Sequence, residues 1–210
     1  MSRCRIIRAV QVAIIIASLR GDAAGAKVAL GASFGYTHHS YPDVPHVTND
    51  VVGIPGTQEW GQPGIRVGYI APSDHWDLNV DIGLMHRSGT IGNDQTAVEL
   101  LPQVQANNEY KLKNTRGGGG FSSFVNGGVG IVYERASTLS NSSTTATRPV
   151  FGAGIGVRKS VSDGHGLLRL ELRYDHLPEH IKELSPSETF TFFATNQFSV
   201  KFGFDLLVAH

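Results

Sequence analysis

From Lys27 onward, apolar and polar residues alternate along the chain with a period of two, and no stretch has a convincing helical period. The run from Trp76 to Leu84 shows this best, because Trp, Leu, Val, Ile and Leu alternate with Asp, Asn, Asp and Gly. Such alternation is typical of strands with one apolar face. The pattern predicts an all-β protein with eight strands, at residues 28–36, 65–69, 76–84, 98–110, 121–134, 151–158, 168–175 and 198–206.

The sizes of the side chains on the two faces predict which face points inward. Eight antiparallel strands suit either a membrane barrel or a soluble barrel of the lipocalin type, and these differ in the direction of the apolar face. The apolar face carries bulky Phe, Leu, Tyr and Trp, whereas the other face carries Gly, Ser, Asn and charged residues. An eight-stranded barrel has a narrow interior that side chains fill. We therefore expect an eight-stranded, antiparallel, up-and-down transmembrane β-barrel with its apolar face toward lipid.

The gaps between the runs alternate in length. The gaps after strands two, four and six are roughly 5 to 9 residues long, as expected for periplasmic turns. The gaps after strands one, three, five and seven are about 25, 10, 13 and 20 residues, as expected for extracellular loops. We expect the Ser- and Thr-rich segment 136–147 to be a mobile loop. Pro102 falls inside a predicted strand and cannot donate to a ladder, so we expect a β-bulge or a strand boundary there.

Aromatic residues of the apolar face collect near the ends of the runs. Amphipathic rings favour the two interfaces of a membrane, so this distribution predicts two aromatic girdles. The predicted girdle residues are Tyr36, Tyr69, Trp76, Tyr110, Tyr133 and Tyr174.

The first 26 residues have the organisation of a secretory signal. Three arginines precede an apolar run from Ala9 to Leu19, and small residues follow up to Ala26. The apolar run of about 11 residues is shorter than the roughly 20 residues of a spanning helix, which disfavours a retained anchor. We expect cleavage after Ala26, which leaves residues 27–210 as one barrel domain. The single cysteine, Cys4, lies in the segment to be removed, so we expect no disulfide in the mature chain.

Charged residues on the polar face have both signs and face a narrow interior. We expect them to form a hydrogen-bonded ion network that plugs the lumen. The alternative is a narrow path for small solutes, which would need a water-filled column. The predicted network consists of Arg66, Asp77, Asp81, Glu99, Glu134, Arg158, Arg169, Glu171, Arg173, Asp175, Lys201 and Asp205.

These features together resemble the small outer-membrane barrel family of OmpA-type and opacity-type proteins. The likeness rests on the signal-like N-terminus, the eight runs, the alternating gaps and the segment Arg169–His176 before a closing apolar strand. It covers residues 27–210. The resemblance implies export through the inner membrane to the bacterial outer membrane, contact with outer-membrane lipid, and a role in envelope integrity, adhesion or recognition. A surface ligand would bind through loops 38–63 and 177–196.

Some small outer-membrane barrels modify lipid A, so His and Ser pairs near the outer rim are the alternative functional residues. A Ser nucleophile needs a His base within hydrogen-bond reach. The candidates are His38-His39-Ser40 and His86-Arg87-Ser88, and His176 and His180 are possible metal ligands at the rim. Such spacings are common, so we expect a protein that is not an enzyme and has no cofactor or catalytic metal. The 18 basic and 18 acidic residues favour no nucleic-acid partner, and we expect a monomer.

Overall fold

The structure, a computed structural model, contains eight long antiparallel strands. It describes residues 27–40, 62–71, 75–85, 89–91, 94–96, 98–99, 101–112, 120–137, 143–162, 165–185 and 188–209. The long strands are β1 (Lys27–Ser40), β2 (Gln62–Ile70), β3 (Trp76–Met85), β4 (Leu101–Lys111), β5 (Phe121–Ser137), β6 (Ser143–Val161), β7 (Gly166–Leu177) and β8 (Thr195–Ala209).

Each long strand pairs with the next one along the chain, and the last strand pairs with the first. The closing ladder joins β1 to β8 over its whole length, from Lys27 opposite Ala209 to Ser40 opposite Asn196. A sheet closed in this way has no free edge, so its backbone groups need no hydrogen bonds from lipid. The fold is therefore an up-and-down eight-stranded β-barrel, as the alternating sequence predicts. The described residues contain no helix with the length and hydropathy of a membrane span.

The burial of the side chains alternates along the strands and shows which face lines the lumen. On β7, Leu168, Leu170 and Leu172 are exposed on the outer surface, whereas Arg169 and Glu171 are buried inside. The same holds on β3, where Trp, Leu and Ile are exposed and Asp77 is buried. A band of bulky apolar side chains around an ionic interior is the arrangement of a membrane barrel. The predicted orientation is confirmed.

The two ends of the barrel differ in their connections. The strand ends that flank residues 71–75, 112–120 and 162–165 lie at the end that carries Lys27 and Ala209. The strand ends that flank residues 41–61, 86–100, 138–142 and 178–194 lie at the other end. The connection after β5 is shorter than predicted, because β5 and β6 stay paired up to Ser137 opposite Ser143. Residues 136–137 and 143–147 extend a hairpin, as suits β-branched Thr, so the predicted loop is wrong for these residues; residues 138–142 lie outside the described part of the chain.

Pro102 marks an irregularity in the wall of the barrel. Glu99 lies opposite Arg135 and Gln103 lies opposite Val132, so four steps along one strand face three steps along the other. One additional residue is the count expected of a β-bulge, and β4 begins at Leu101, next to the proline; Leu100, between the two pairs, lies outside the described residues. This irregularity agrees with the prediction of a bulge or a strand boundary at Pro102.

Two short hairpins lie at the end with the long connections. His180–Ser185 pairs with Glu188–Phe192, between β7 and β8. Gly89–Ile91 pairs with Asp94–Thr96, between β3 and β4. The first of these, residues 180–192, is called the outer hairpin below.

Candidate functional site

The lumen is the candidate functional site, because strict alternation turns one face of every strand into it. Charged residues of both signs lie there, buried or half-buried, although the barrel is surrounded by apolar side chains. Among the described residues, six basic and six acidic side chains form this lumen cluster. They are Arg66, Lys111, Arg158, Arg169, Arg173 and Lys201, and Asp77, Asp81, Glu109, Glu171, Asp175 and Asp205.

Glu109 lies at the centre of the part of the cluster nearer to the short turns. Its side chain is 0% exposed, and it accepts hydrogen bonds from Arg158 Nη1 at 2.9 Å and from Arg169 Nη2 at 2.5 Å. Arg158 also donates to Asp77 at 2.7 Å and to the Ser122 hydroxyl at 3.1 Å. One guanidinium thereby connects β3, β4 and β5 from its position on β6.

Arg66 and Asp81 form a bidentate ion pair between neighbouring strands. Arg66 Nε lies 2.6 Å from Asp81 Oδ1, and Arg66 Nη2 lies 2.8 Å from Asp81 Oδ2. Asn107 donates a further hydrogen bond to Asp81 at 3.0 Å. Arg66 also reaches across the lumen to Glu171 at 3.4 Å. The planar fork of arginine matches a carboxylate in this geometry, which fixes both side chains.

Arg173 and Asp175 carry the network toward the outer end of the lumen. Arg173 Nε lies 2.9 Å from Asp175 Oδ1, and Gln105 donates to the same oxygen at 2.7 Å. Asn126 donates to Glu171 at 2.8 Å and accepts from Arg173 at 3.3 Å. Amide side chains therefore link the ion pairs into one network, which satisfies charges that would otherwise be costly to bury.

Packing leaves little free space between these side chains. Two cavities lined by described lumen residues, one beside Lys201 and Asp81 and one beside Arg66 and Asp77, each measure about 10 Å³. Such a cavity has room for about one water molecule. The balanced charges and these two small cavities are consistent with the predicted plug.

Apolar residues close the outer end of the plug. Val132, Val150 and Leu177 form a buried cluster contributed by β5, β6 and β7. Phe192 of the outer hairpin packs against Ala146 of β6 in a second buried cluster. The outer hairpin therefore contacts the rim of the barrel through apolar side chains.

The structure places the predicted network residues at two levels. Most of them belong to the lumen cluster, but Glu134 lies at the mouth, where it pairs with Arg148 at 2.7 Å. The backbone of Glu99 precedes the bulge, and its side chain lies outside the described part of the structure.

The predicted ion network left out three charged residues that the structure places inside the barrel. Glu109 and Lys111 belong to the lumen cluster, and Lys111 Nζ lies 3.0 Å from Asp77 Oδ1. Arg148 was not predicted to point inward, because the predicted strand began after it, at Phe151. The alternation along β4 indicates that Glu109 points inward, because this residue shares the polar face with Gln103 and Gln105.

The predicted girdle residues lie on the outer surface. Tyr36, Trp76, Tyr133 and Tyr174 are exposed there, and Tyr69 and Tyr110 are half-buried. The rings of Trp76 and Tyr110 are neighbours, with their centroids 4.7 Å apart and their planes tilted by 60°. Outward rings at both ends of the strands fit the interfacial positions that such rings prefer.

The candidate enzymatic residues show no assembled site in the described part of the chain. His38 and Ser40 lie half-buried at the end of β1, while the side chain of His39 and residues 86–88 lie outside the described part. His176 Nδ1 lies 2.8 Å from Asn196 Oδ1, so this ring has a side-chain amide as its partner. No group of three His, Cys, Asp or Glu among the described residues could hold a metal ion.

Solved structures of small outer-membrane barrels have a similar fold. Neisserial surface protein A (NspA) superposes with a TM-score of 0.58 at 13% identity, covering 87% of this chain and 98% of that one. A major outer membrane protein from Thermus thermophilus superposes with a TM-score of 0.54 at 12% identity, covering 88% and 100%. No protein-family model and no curated protein sequence matches the chain. The likeness concerns the fold, and it confirms the predicted small eight-stranded barrel of the outer-membrane type.

Proposed function

We propose that this chain, a β-barrel of the outer-membrane type, resides in the bacterial outer membrane and acts through its extracellular face. In this proposal the barrel anchors and positions recognition loops, in envelope integrity or adhesion, and it neither conducts solutes nor catalyses a reaction. The paired charges of the lumen cluster are the observation that carries the proposal, because a lumen plugged by them would leave the loops to meet a partner.

Two features of the barrel support a membrane location. The outer surface carries a continuous set of exposed Leu, Ile, Val and Phe side chains, which would be a liability in water. The closed sheet satisfies its own backbone, as lipid requires. The likeness to NspA, a surface protein by its name, agrees with an exposed position in the envelope.

The experiment that tests the location is heat-modifiable migration of the protein in an outer-membrane fraction. A folded barrel migrates differently on a gel before and after boiling, whereas a soluble periplasmic protein would be recovered without detergent. We expect a heat-modifiable band in the outer-membrane fraction. Recovery of the mature chain in the soluble periplasmic fraction would overturn the proposal.

Conductance separates a scaffold from a channel. Purified protein in planar bilayers should show no stable open level, with a porin in the same bilayers as the positive control. A reproducible single-channel step would favour a narrow channel instead. Lipid A profiles address the enzymatic alternative, because the replacements Ser40→Ala and Ser88→Ala should leave lipid A acylation unchanged in cells. A change that depends on either serine would contradict the proposal.

A further inference from the structure

Arg148 lies at the outer mouth of the barrel and binds more groups there than any ion pair requires. Its side chain is 1% exposed. Nη1 donates to Glu134 at 2.7 Å, and the remaining hydrogen bonds of the guanidinium go to backbone carbonyls. An arginine needs one carboxylate to neutralise its charge, so the carbonyl contacts indicate a second task.

The carbonyls that Arg148 binds lie at the two ends of the segment that carries the outer hairpin. Nη2 lies 3.1 Å from the oxygen of Leu177, 2.8 Å from that of Pro178 and 2.7 Å from that of Phe193. Nε lies 3.2 Å from the oxygen of Pro178. Pro178 begins this segment and Phe193 is close to its end. One side chain of β6 therefore holds both ends of the connection between β7 and β8.

Two further contacts hold the body of the outer hairpin against β6. Lys182 Nζ donates to the backbone oxygen of Thr145 at 2.6 Å. Phe192 is buried against Ala146, and its ring centroid lies 6.2 Å from that of His180. These contacts lie beyond the apolar cluster of Val132 and its neighbours, at the mouth of the lumen. The outer hairpin is thus fixed at its ends by Arg148 and along its length by β6.

The chemistry of arginine suits this position better than that of lysine. A guanidinium has five N–H donors in a fixed plane, so it can bind several acceptors at once, whereas an ammonium is a compact point charge. Removing the guanidinium would leave the carbonyl groups of Leu177, Pro178 and Phe193 without this donor near the mouth. The carbonyl of Phe193 keeps a hydrogen bond from the Thr195 hydroxyl at 2.9 Å, but the two ends would lose their common donor, and the cost of the lost hydrogen bonds would favour their separation toward water.

We propose that Arg148 is a positioning residue that fixes the outer hairpin in place as a lid at the extracellular mouth. The outer hairpin then closes the mouth of the barrel, and the lumen cluster closes its interior separately. The consequence for recognition rests on the function proposed above: a fixed hairpin presents one surface to a partner, at little cost in conformational entropy on binding.

Trypsin cleavage after Lys182 tests the position of the outer hairpin in purified, refolded protein. Proteolysis of a folded protein follows the population of the open form when opening is fast, so a loosened hairpin is cut sooner. We compare the wild type with Arg148→Met, and mass spectrometry quantifies the fragment that ends at Lys182. Folding of each variant is checked by heat-modifiable migration. We expect cleavage to be roughly tenfold faster in Arg148→Met.

Arg158→Met is the matched control. Arg158 is also a buried arginine of β6, and its partners are Asp77, Glu109 and Ser122 rather than the outer hairpin. We expect this variant to be less stable but to be cut after Lys182 at about the wild-type rate. An equal acceleration in both variants would mean that general loosening of the barrel exposes Lys182, and the proposal would be overturned. Wild-type cleavage of Arg148→Met would overturn it as well.

Arg148→Lys keeps the proposal testable where the Met variant does not fold. Lysine retains a positive charge opposite Glu134 but cannot bind three carbonyl groups in one plane. We expect faster cleavage after Lys182 in this variant too, and full protection by Lys would show that charge alone is sufficient, against the proposal. The readout is independent of cellular location and of any ligand. Failure of the proposed outer-membrane location would therefore leave the cleavage result unchanged, and wild-type cleavage of Arg148→Met would leave the proposed location unchanged.

Discussion

Glu109 on β4 and Arg169 on β7 meet across the lumen, with 2.5 Å between Glu109 Oε2 and Arg169 Nη2, although 60 residues separate them in the sequence. The same carboxylate accepts a hydrogen bond from Arg158 of β6 at 2.9 Å. One buried carboxylate therefore binds two guanidinium groups from different strands. The barrel depends on Glu109 more than on any of its surface charges, because buried charges without partners are expensive.

Replacing Glu109 by Ala should strongly destabilise the barrel. The change leaves Arg158 and Arg169 with reduced compensation in a water-poor interior, and breaking a buried pair in this way costs about 3–5 kcal/mol. Urea-induced unfolding in phospholipid vesicles, followed by Trp fluorescence, measures the free energy of unfolding. Asn108→Ala is the matched control, because Asn108 directly precedes Glu109 on β4 and is exposed on the outer surface. A similar loss in both variants would contradict the role given to Glu109.

The bidentate pair of Arg66 and Asp81 should be replaceable as a unit but not in halves. Each single variant, Arg66→Met or Asp81→Leu, leaves one charge without its closest partner and should cost about 3–5 kcal/mol. The double variant removes both charges, so its loss should be clearly smaller than the sum of the two single losses. A double-mutant cycle of unfolding free energies measures this difference. Strict additivity would show that the two side chains do not depend on one another.

Replacing a glycine by alanine should cost more stability on the lumen face of the barrel than on its outer face. A Cβ on Gly156 would lie 2.5 Å from the carbonyl oxygen of Leu170 and would overlap the ring of Phe124 inside the lumen. A Cβ on Gly127, which is exposed outside, would meet only the carbonyl oxygen of Gly152 at 3.9 Å. We expect Gly156→Ala to cost about 1–3 kcal/mol through overpacking. Gly127→Ala should be close to neutral, and a reversed order would contradict the assignment of the faces.

Most of the fold could be predicted from the alternation of apolar and polar side chains. Period-two patterns and side-chain sizes together determine which face fits a narrow lumen, so the eight strands and their orientation follow from local residues such as those between Trp76 and Leu84. The turn lengths then indicate which end carries the loops. The irregularity at Pro102, a bulge or a strand boundary, was predictable because a closed ladder has no edge where a missing donor can be placed.

Such patterns do not predict the contacts at the mouth of the barrel near the outer hairpin. Residues 143–147 are Ser, Thr and Ala, a composition that serves a loop as well as a strand, and only pairing with β5 decides for the strand. When the strand is predicted to begin only at Phe151, Arg148 falls outside the alternating pattern, and its inward direction is not predicted. Its partners, the carbonyls of Leu177, Pro178 and Phe193, depend on the path of the backbone rather than on residue type. Sequence alone therefore does not reveal them.

Two outward residues of β6 test the orientation of the barrel in lipid on a single strand. Ile155 and Thr147 both point outward, but Ile155 lies midway between the outward residues Phe151 and Lys159, whereas Thr147 lies opposite the girdle residue Tyr133. An arginine on the lipid-facing surface costs about 2–4 kcal/mol at the midplane and about 0–1 kcal/mol near the interface. Ile155→Arg should therefore lower the free energy of unfolding in vesicles far more than Thr147→Arg. The exposed Leu, Ile and Phe side chains require lipid around this face of the barrel. Equal tolerance of both replacements would mean that lipid does not surround it, and would contradict the orientation.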